Sequence, residues 1–190
     1  MVEKFILILK SSPRTNANSS VLADQVADGA RSAGAQVESF ELGKMHIQPC
    51  DACEGCHGST GEGICILDDD MTALYPKLRE ADAIVLASPI YWFTYTAQLK
   101  LCIDRWYALE TTRGNALHGK TLGIILAYGD TDPCTSGAVN AIRTFEDMAR
   151  YLHMPIAGMV YGTASNPGDI LVQKDLLQKA HALGEKLAGG

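Results

Sequence analysis

Phe5-Ile6-Leu7-Ile8-Leu9-Lys10-Ser11-Ser12-Pro13-Arg14-Thr15-Asn16-Ala17-Asn18-Ser19-Ser20 sets a short apolar run directly against a polar loop. The apolar part is far shorter than the ~20 residues a bilayer span needs. It is also too short for a signal peptide, and Lys10-Ser11-Ser12-Pro13-Arg14 is no cleavage site. It reads as a buried first strand. Beyond the loop, Leu22, Val26, Gly29, Ala30 and Ala33 recur on one helical face, and Gly34 stops the pattern.

The same alternation continues to the end of the chain. Strands are expected at 5–9, 36–41, 83–88, 121–128 and 155–161. Ala83-Ile84-Val85-Leu86-Ala87 and Leu122-Gly123-Ile124-Ile125-Leu126 are continuously apolar, as in parallel strands covered on both faces. Four further helical faces follow: Met71, Leu74, Tyr75 and Leu78; Leu99, Cys102, Ile103 and Trp106; Ala138, Ile142, Phe145, Ala149 and Leu152; and a last one from Ile170 to Leu187. Asp68-Asp69-Asp70 suits a helix start, and Pro76 is expected to kink or split the helix it falls in. Strands alternating with helices describe a doubly wound α/β sheet, and 190 residues fit one domain, 1–190. Only residues 43–67, rich in Gly and Cys, break the rhythm; a loop so long is functional or disordered.

With 16 Lys+Arg against 22 Asp+Glu the net charge is −6, and no basic run exists. That argues against a nucleic-acid platform and a membrane-surface patch. A cytoplasmic protein is expected, and in that setting six cysteines point to metal or redox chemistry before disulfides.

Two loops are placed to bind something. In doubly wound sheets ligands sit beyond the carboxyl ends of the strands, beside strand 1. There the Ser, Thr and Asn side chains of 11–20, with the free N–H groups of a helix start, can hold a phosphate. Helix capping by Asn18-Ser19-Ser20 is the plainer alternative. Neither G-x-G-x-x-G nor a Walker loop is present, which weighs against a dinucleotide fold and an NTPase. The second loop, Pro89-Ile90-Tyr91-Trp92-Phe93-Thr94-Tyr95-Thr96, is dense in aromatics in a chain only 7% aromatic. It could wall a flat tricyclic ring, face another subunit, or simply pack.

Ser12-Pro13-Arg14 with Asn18-Ser19, Pro49-Cys50, Asp69-Asp70-Met71, Ser88-Pro89-Ile90-Tyr91 and Ala97-Gln98-Leu99-Lys100 with Ile103-Asp104-Arg105 stand in one order. Together they closely resemble the NADPH-dependent FMN reductase and iron–sulfur flavoprotein family. The resemblance implies a flavodoxin-like five-stranded parallel sheet of order 2-1-3-4-5, bound FMN, and NAD(P)H as electron donor. By position, Ser12, Arg14, Asn18, Ser19 and Ser20 would hold the phosphate, and Pro89, Ile90, Tyr91, Trp92 and Phe93 would flank the ring. Tyr128, Gly129 and Asp130 would form a third flavin-side loop, Asp130 departing from the Ser/Thr and Gly of many relatives. A homodimer or homotetramer is also implied, with a neighbour completing the aromatic loop.

Cys50-x2-Cys53-x2-Cys56-x8-Cys65 is the sharpest motif. Four thiolates so spaced can wrap a [4Fe–4S] cluster. Zinc usually takes two separated knuckles, and redox-inert thiols in a plain FMN reductase remain the third reading. The family's iron–sulfur branch usually has a shorter gap before the fourth cysteine, so His57 and Asp51 stand as other possible ligands. Cys102 reads as packing and Cys134 as a loop thiol, while His46, His118, His153 and His181 read as isolated.

No catalytic side chain is expected, since flavin performs the chemistry. The leading expectation is an oxidoreductase passing electrons from NAD(P)H through FMN to a flavin, quinone or similar small acceptor. An electron carrier pairing FMN with a cluster and serving a protein partner is the second, and a non-enzymatic flavin- or nucleotide-binding module the third.

Overall fold

The computed structural model describes residues 3–58 and 63–189. Its strands are β1 (Phe5–Lys10), β2 (Gln36–Glu41), β3 (Ala83–Tyr91), β4 (Thr94–Tyr95), β5 (Glu110–Thr111), β6 (Gly114–Asn115), β7 (Thr121–Tyr128) and β8 (Ile156–Thr163). Its helices are α1 (Asn18–Ser32), α2 (Met71–Glu80), α3 (Ala97–Asp104), α4 (Ala138–Tyr151) and α5 (Lys174–Gly189). The five long strands pair in parallel in the order β2-β1-β3-β7-β8. Counted alone, they give the expected order 2-1-3-4-5. β4 folds back antiparallel on the end of β3, and β5 and β6 form a separate ribbon.

Side-chain alternation divides the core in two. Leu7, Leu9, Ile84, Leu86, Ile124 and Leu126 pack with Leu74, Leu78, Leu99 and Phe145 of α2, α3 and α4. Ile6, Ile8, Val85 and Ile125 pack on the opposite face with Leu22 and Val26 of α1 and Leu183 and Leu187 of α5. Both faces of β1 are sealed: Ile6, Leu7, Ile8 and Leu9 are all 0% exposed. This is what the unbroken apolar runs required.

Three local expectations are corrected. α2 runs through Pro76 as one helix. Both Pro76 and Thr72, whose carbonyl the proline leaves without a donor, lie on the exposed face, where water can satisfy it. β3 extends past Ser88 to Tyr91 because Pro89 still pairs with Ala127 of β7, and Ile90 and Tyr91 gain β4 as a partner. α3 stops at Asp104, and a 3-10 turn over Arg105–Leu109 carries Trp106 into the core. No helix among the described residues is long and apolar enough to cross a membrane.

α1 and α5 approach closely through glycines. A Cβ at Gly29 would fall on the His181 carbonyl, and one at Gly184 on the Val26 carbonyl. Replacing a mid-helix glycine by alanine ordinarily stabilises by ~0.5–1 kcal/mol. Gly184→Ala should instead destabilise by roughly 1–3 kcal/mol through overpacking. Thermal unfolding of parent and variant checks the sign; a raised melting temperature contradicts this packing.

Candidate functional site

A cleft opens at the carboxyl ends of β1, β3 and β7. Ser12, Arg14, Ala17 and Asn18 line it from the first loop, Pro89, Ile90 and Tyr91 from the second, and Ala127, Tyr128 and Gly129 from the third. A fourth wall, Ala164, Ser165 and Pro167, comes from the loop after β8 and was missed in the sequence. The Asn166-Pro167-Gly168 turn signal was there to find it, but β8 runs to Thr163, beyond its expected end.

The first loop delivers α1 to the cleft by its N-terminus. Ala17 holds the cap position with no side-chain capping bond, and the Val21 N–H reaches the Ala17 carbonyl at 2.9 Å. The N–H groups of Asn18, Ser19 and Ser20 therefore precede the helix's own ladder and stay available to an anion. Ser19 is 1% exposed, and its hydroxyl is buried with no hydrogen-bond partner. A buried hydroxyl left unpaired costs about 1–3 kcal/mol, which a phosphate oxygen here would relieve. Arg14 lies over the Tyr91 ring at 5.8 Å, and its N–H donates to Ser12 Oγ at 3.2 Å.

The Asn18 side chain has a different task from the one expected. Its Nδ2 donates to the carbonyls of Ala164 (3.2 Å) and Asn166 (2.8 Å), and its Oδ1 accepts from Gly168 N–H (3.0 Å) and Ile170 N–H (3.2 Å). Both donors and both lone pairs are used, so Asn18 can offer an anion only its backbone N–H. It staples the fourth wall to the first, and Ser165 Oγ ties that wall to the Gly129 carbonyl at 3.0 Å. Ser19, buried next to Asn18, and Ser20, half-buried, do not themselves line the cleft.

At the other end Pro89, Ile90 and Tyr91 stand in the cleft, but Trp92 and Phe93 do not. They form the two-residue turn between β3 and β4, with φ of 50° and 72°. Two left-handed residues suit a tight hairpin but usually call for Asn or Gly, and the turn leaves Trp92 91% exposed. The tip is clamped from α4, where Asn140 Nδ2 donates to the Phe93 carbonyl at 3.0 Å. Asp130 also lies outside the cleft, its carboxylate accepting from its neighbour's Thr131 N–H at 2.7 Å. Burial raises the Tyr128 hydroxyl's pKa, keeping it a neutral donor on the third wall.

The cysteine segment is anchored by a buried ion pair. Arg105 and Asp69 side chains are 1% and 0% exposed, 2.5 Å apart. Arg105 also donates to the Gln48 carbonyl at 3.0 Å and to Cys65 Sγ at 3.3 Å, while Asp69 accepts from Gln48 N–H and Met71 N–H. Asp70 accepts from His46 N–H at 2.6 Å. The acidic run thus holds the entry of the segment at His46 and Gln48, and Arg105 holds Cys65 near its end. The Asp69 carboxylate and the Asp69 and Asp70 carbonyls also meet the first turn of α2. Cys50 and Cys53 are exposed, and Cys56 and Cys65 half-buried. Burial, with Cys65, Glu54 and Cys50 adding charge, raises the Cys56 thiol's pKa. Among the described residues no three His, Cys, Asp or Glu side chains gather to hold a metal ion. The donor set suits a cluster; the arrangement seen does not assemble one. His57 is engaged elsewhere, its Nε2 3.2 Å from the Tyr107 carbonyl, and Asp51 accepts the Cys53 N–H at 3.2 Å. Cys102 is buried, as expected, its thiol pushed up to about 12. His118 and His153 are not isolated; their rings meet edge to face at 4.9 Å.

A doubly wound sheet with an anion-ready helix start and a tyrosine-walled cleft at the switch point defines a flavodoxin-like α/β protein. The profile of the NADPH-dependent FMN reductase family matches residues 5–167, and the chain belongs to that family. It is an FMN-dependent NAD(P)H oxidoreductase. An iron–sulfur flavoprotein of Archaeoglobus fulgidus is 30% identical over 184 residues, 93% of this chain and 76% of that one. The FMN-dependent NADH:quinone oxidoreductase of Shewanella baltica is 27% identical over 95% of this chain and 97% of its own length. The fold is shared with the NAD(P)H:quinone oxidoreductase structure from Methanothermobacter marburgensis, at a TM-score of 0.74 and 18% identity, over 100% of this chain and 99% of that one.

Burial raises the Asp69 carboxyl's pKa, but its bonds from Arg105, Gln48 and Met71 outweigh this and leave it below its ordinary value of 3.8. A depressed carboxyl stabilises the fold above its unfolded pKa and loses that contribution as pH falls through the folded one. Asp69→Asn should therefore melt well below the parent at pH 6, by roughly 3–5 kcal/mol for a broken buried pair. The gap should close as pH drops under ~4. A gap independent of pH contradicts the ion pair.

Proposed function

We propose that FMN lies in this cleft with its phosphate on the N-terminal turn of α1 and its ring against Pro89, Ile90 and Tyr91 on one side and Tyr128 and Gly129 on the other. The observation that carries this is the buried, unpartnered Ser19 hydroxyl beside three free N–H groups. When bound, FMN would supply the hydride and electron chemistry. The chain's own part is placement: Ser19 and the backbone hold the phosphate, Arg14 adds charge, and Ile90 and Ala127 exclude water. A quinone-type or flavin acceptor is the reading favoured by the relatives' activities. All six cysteines are free thiols, which suits a reducing cytoplasm. The exposed Trp92, presented on a clamped turn, supports a homo-oligomer in which a second copy covers it.

Ser19→Ala tests the phosphate assignment. FMN binding should weaken by on the order of 1.5–3 kcal/mol, the value of a hydrogen bond to a charged group. Riboflavin, which lacks the phosphate, should scarcely change. The flavin-free protein should not lose stability, because the hydroxyl has no partner to lose. Equal losses for both flavins would place the phosphate elsewhere.

A second reading, in which the thiols carry a [4Fe–4S] cluster and the chain serves a protein acceptor, is favoured by the four-thiol donor set and by the Arg105 donor on Cys65. Anaerobic reconstitution of parent and Cys53→Ala proteins, followed by iron and sulfide analysis, tests it. The parent should hold about four iron atoms per chain, as one cubane requires, and the variant none. A parent that takes up flavin without iron leaves the plain reductase.

A further inference from the structure

Beneath the two main walls of the cleft lies a chain of hydroxyls that touches neither solvent nor cleft. Ser11 and Ser88 are 0% exposed and Thr96 is 1% exposed. Thr96 Oγ1 donates to Ser11 Oγ at 2.8 Å, and Ser11 Oγ donates in turn to the Ala87 carbonyl at 3.1 Å. Thr96 N–H donates to Ser88 Oγ at 3.0 Å, which donates to the Pro89 carbonyl at 2.8 Å. Each hydroxyl proton has one short acceptor, so two arms diverge from Thr96, one from its Oγ1 and one from its N–H, with no donor left over.

The positions of these residues give the chain its meaning. Ser11 immediately precedes Ser12 of the first wall, Ser88 immediately precedes Pro89 of the second, and Thr96 follows the hairpin that ends the second wall. Thr96 alone bonds to both serines. It also caps α3, accepting from Leu99 N–H at 3.4 Å, so a purely structural role is the competing explanation. A ligand that touches both walls gains from their being held at a fixed separation, whereas a ligand that touches one does not.

We propose that Thr96 is a positioning residue that locks the phosphate wall to the ring wall through Ser11 and Ser88, so that the grip on the phosphate and the placement of the ring are one event. The inference rests on FMN occupying this cleft. It makes Thr96 a determinant of FMN over riboflavin without touching either.

The test compares parent, Thr96→Val and Thr96→Ser as full chains, titrated with FMN and with riboflavin by flavin fluorescence, alongside melting temperatures. Thr96→Val keeps the shape and removes the hydroxyl. It should cut FMN affinity ~3- to 10-fold, the value of one net hydrogen bond, since Ser11 Oγ keeps its bond to the Ala87 carbonyl, and riboflavin affinity far less. Thr96→Ser should restore the parent's FMN-to-riboflavin ratio. Thr96→Val that lowers both affinities by one factor, with a lowered melting temperature, makes Thr96 a helix cap and overturns the proposal. Should Thr96→Val fail to fold, Ser11→Ala breaks the same link from the other side, and an unchanged ratio there overturns it equally. A parent that binds neither flavin removes the cleft assignment itself, a different result from equal losses.

Discussion

The position of β1 between β2 and β3 is the constraint from which the rest of the molecule follows. Ile8 pairs with Ser39 on one side and Val85 on the other. The chain leaves the carboxyl ends of β1 and β3 toward opposite faces of the sheet, α1 on one and α2 to α4 on the other. Loops departing in opposite directions leave a crevice between them, and nothing but a ligand or water can fill it. Because β1 is sealed on both faces, the helix that follows is delivered with its N-terminus at a fixed point. Backbone N–H groups and one unpartnered hydroxyl, rather than a lysine cluster, are what this point of the chain offers an anion. That economy of charge is consistent with a chain of net charge −6.

The walls of the crevice are loops, and loops hold shape only when tied. Asn18 ties the first to the fourth, Ser165 the fourth to the third, and Thr96 the first to the second. These bonds span up to 152 positions of sequence, so the cleft is a single tertiary object. The Asp69–Arg105 pair plays the same part for the cysteine segment, where Gln48 at one end and Cys65 at the other meet the same guanidinium. A buried ion pair adds little net stability over an apolar pair, but breaking it is costly. Its consequence is that the segment begins and ends at one point on the body of the protein.

The sheet was legible because its signal is local: runs such as Ile84-Val85-Leu86 need cover on both faces wherever they occur. The position of the site was legible for the same reason, as a polar loop after the first strand. What could not be read was which polar groups are already spent. Asn18 looks like a phosphate ligand until its four partners near position 168 are known, and Asp69 looks like a helix cap until Arg105 is beside it. Trp92 and Phe93 have the composition of a flavin wall, yet the hairpin's left-handed turn points them outward. Pro76 looked disruptive because its sequence neighbours do not say which way the orphaned carbonyl faces.

The most direct measurement is the amide 1H–15N spectrum of the labelled protein titrated with FMN and, separately, with riboflavin. The placement requires FMN to move the amides of Ser12, Asn18, Ser19 and Ser20 together with those of Ile90, Tyr91 and Gly129. Riboflavin should move the second group and leave the first near its flavin-free positions. FMN shifts that spare the start of α1, or that are the same for both ligands, would contradict a phosphate held on that helix.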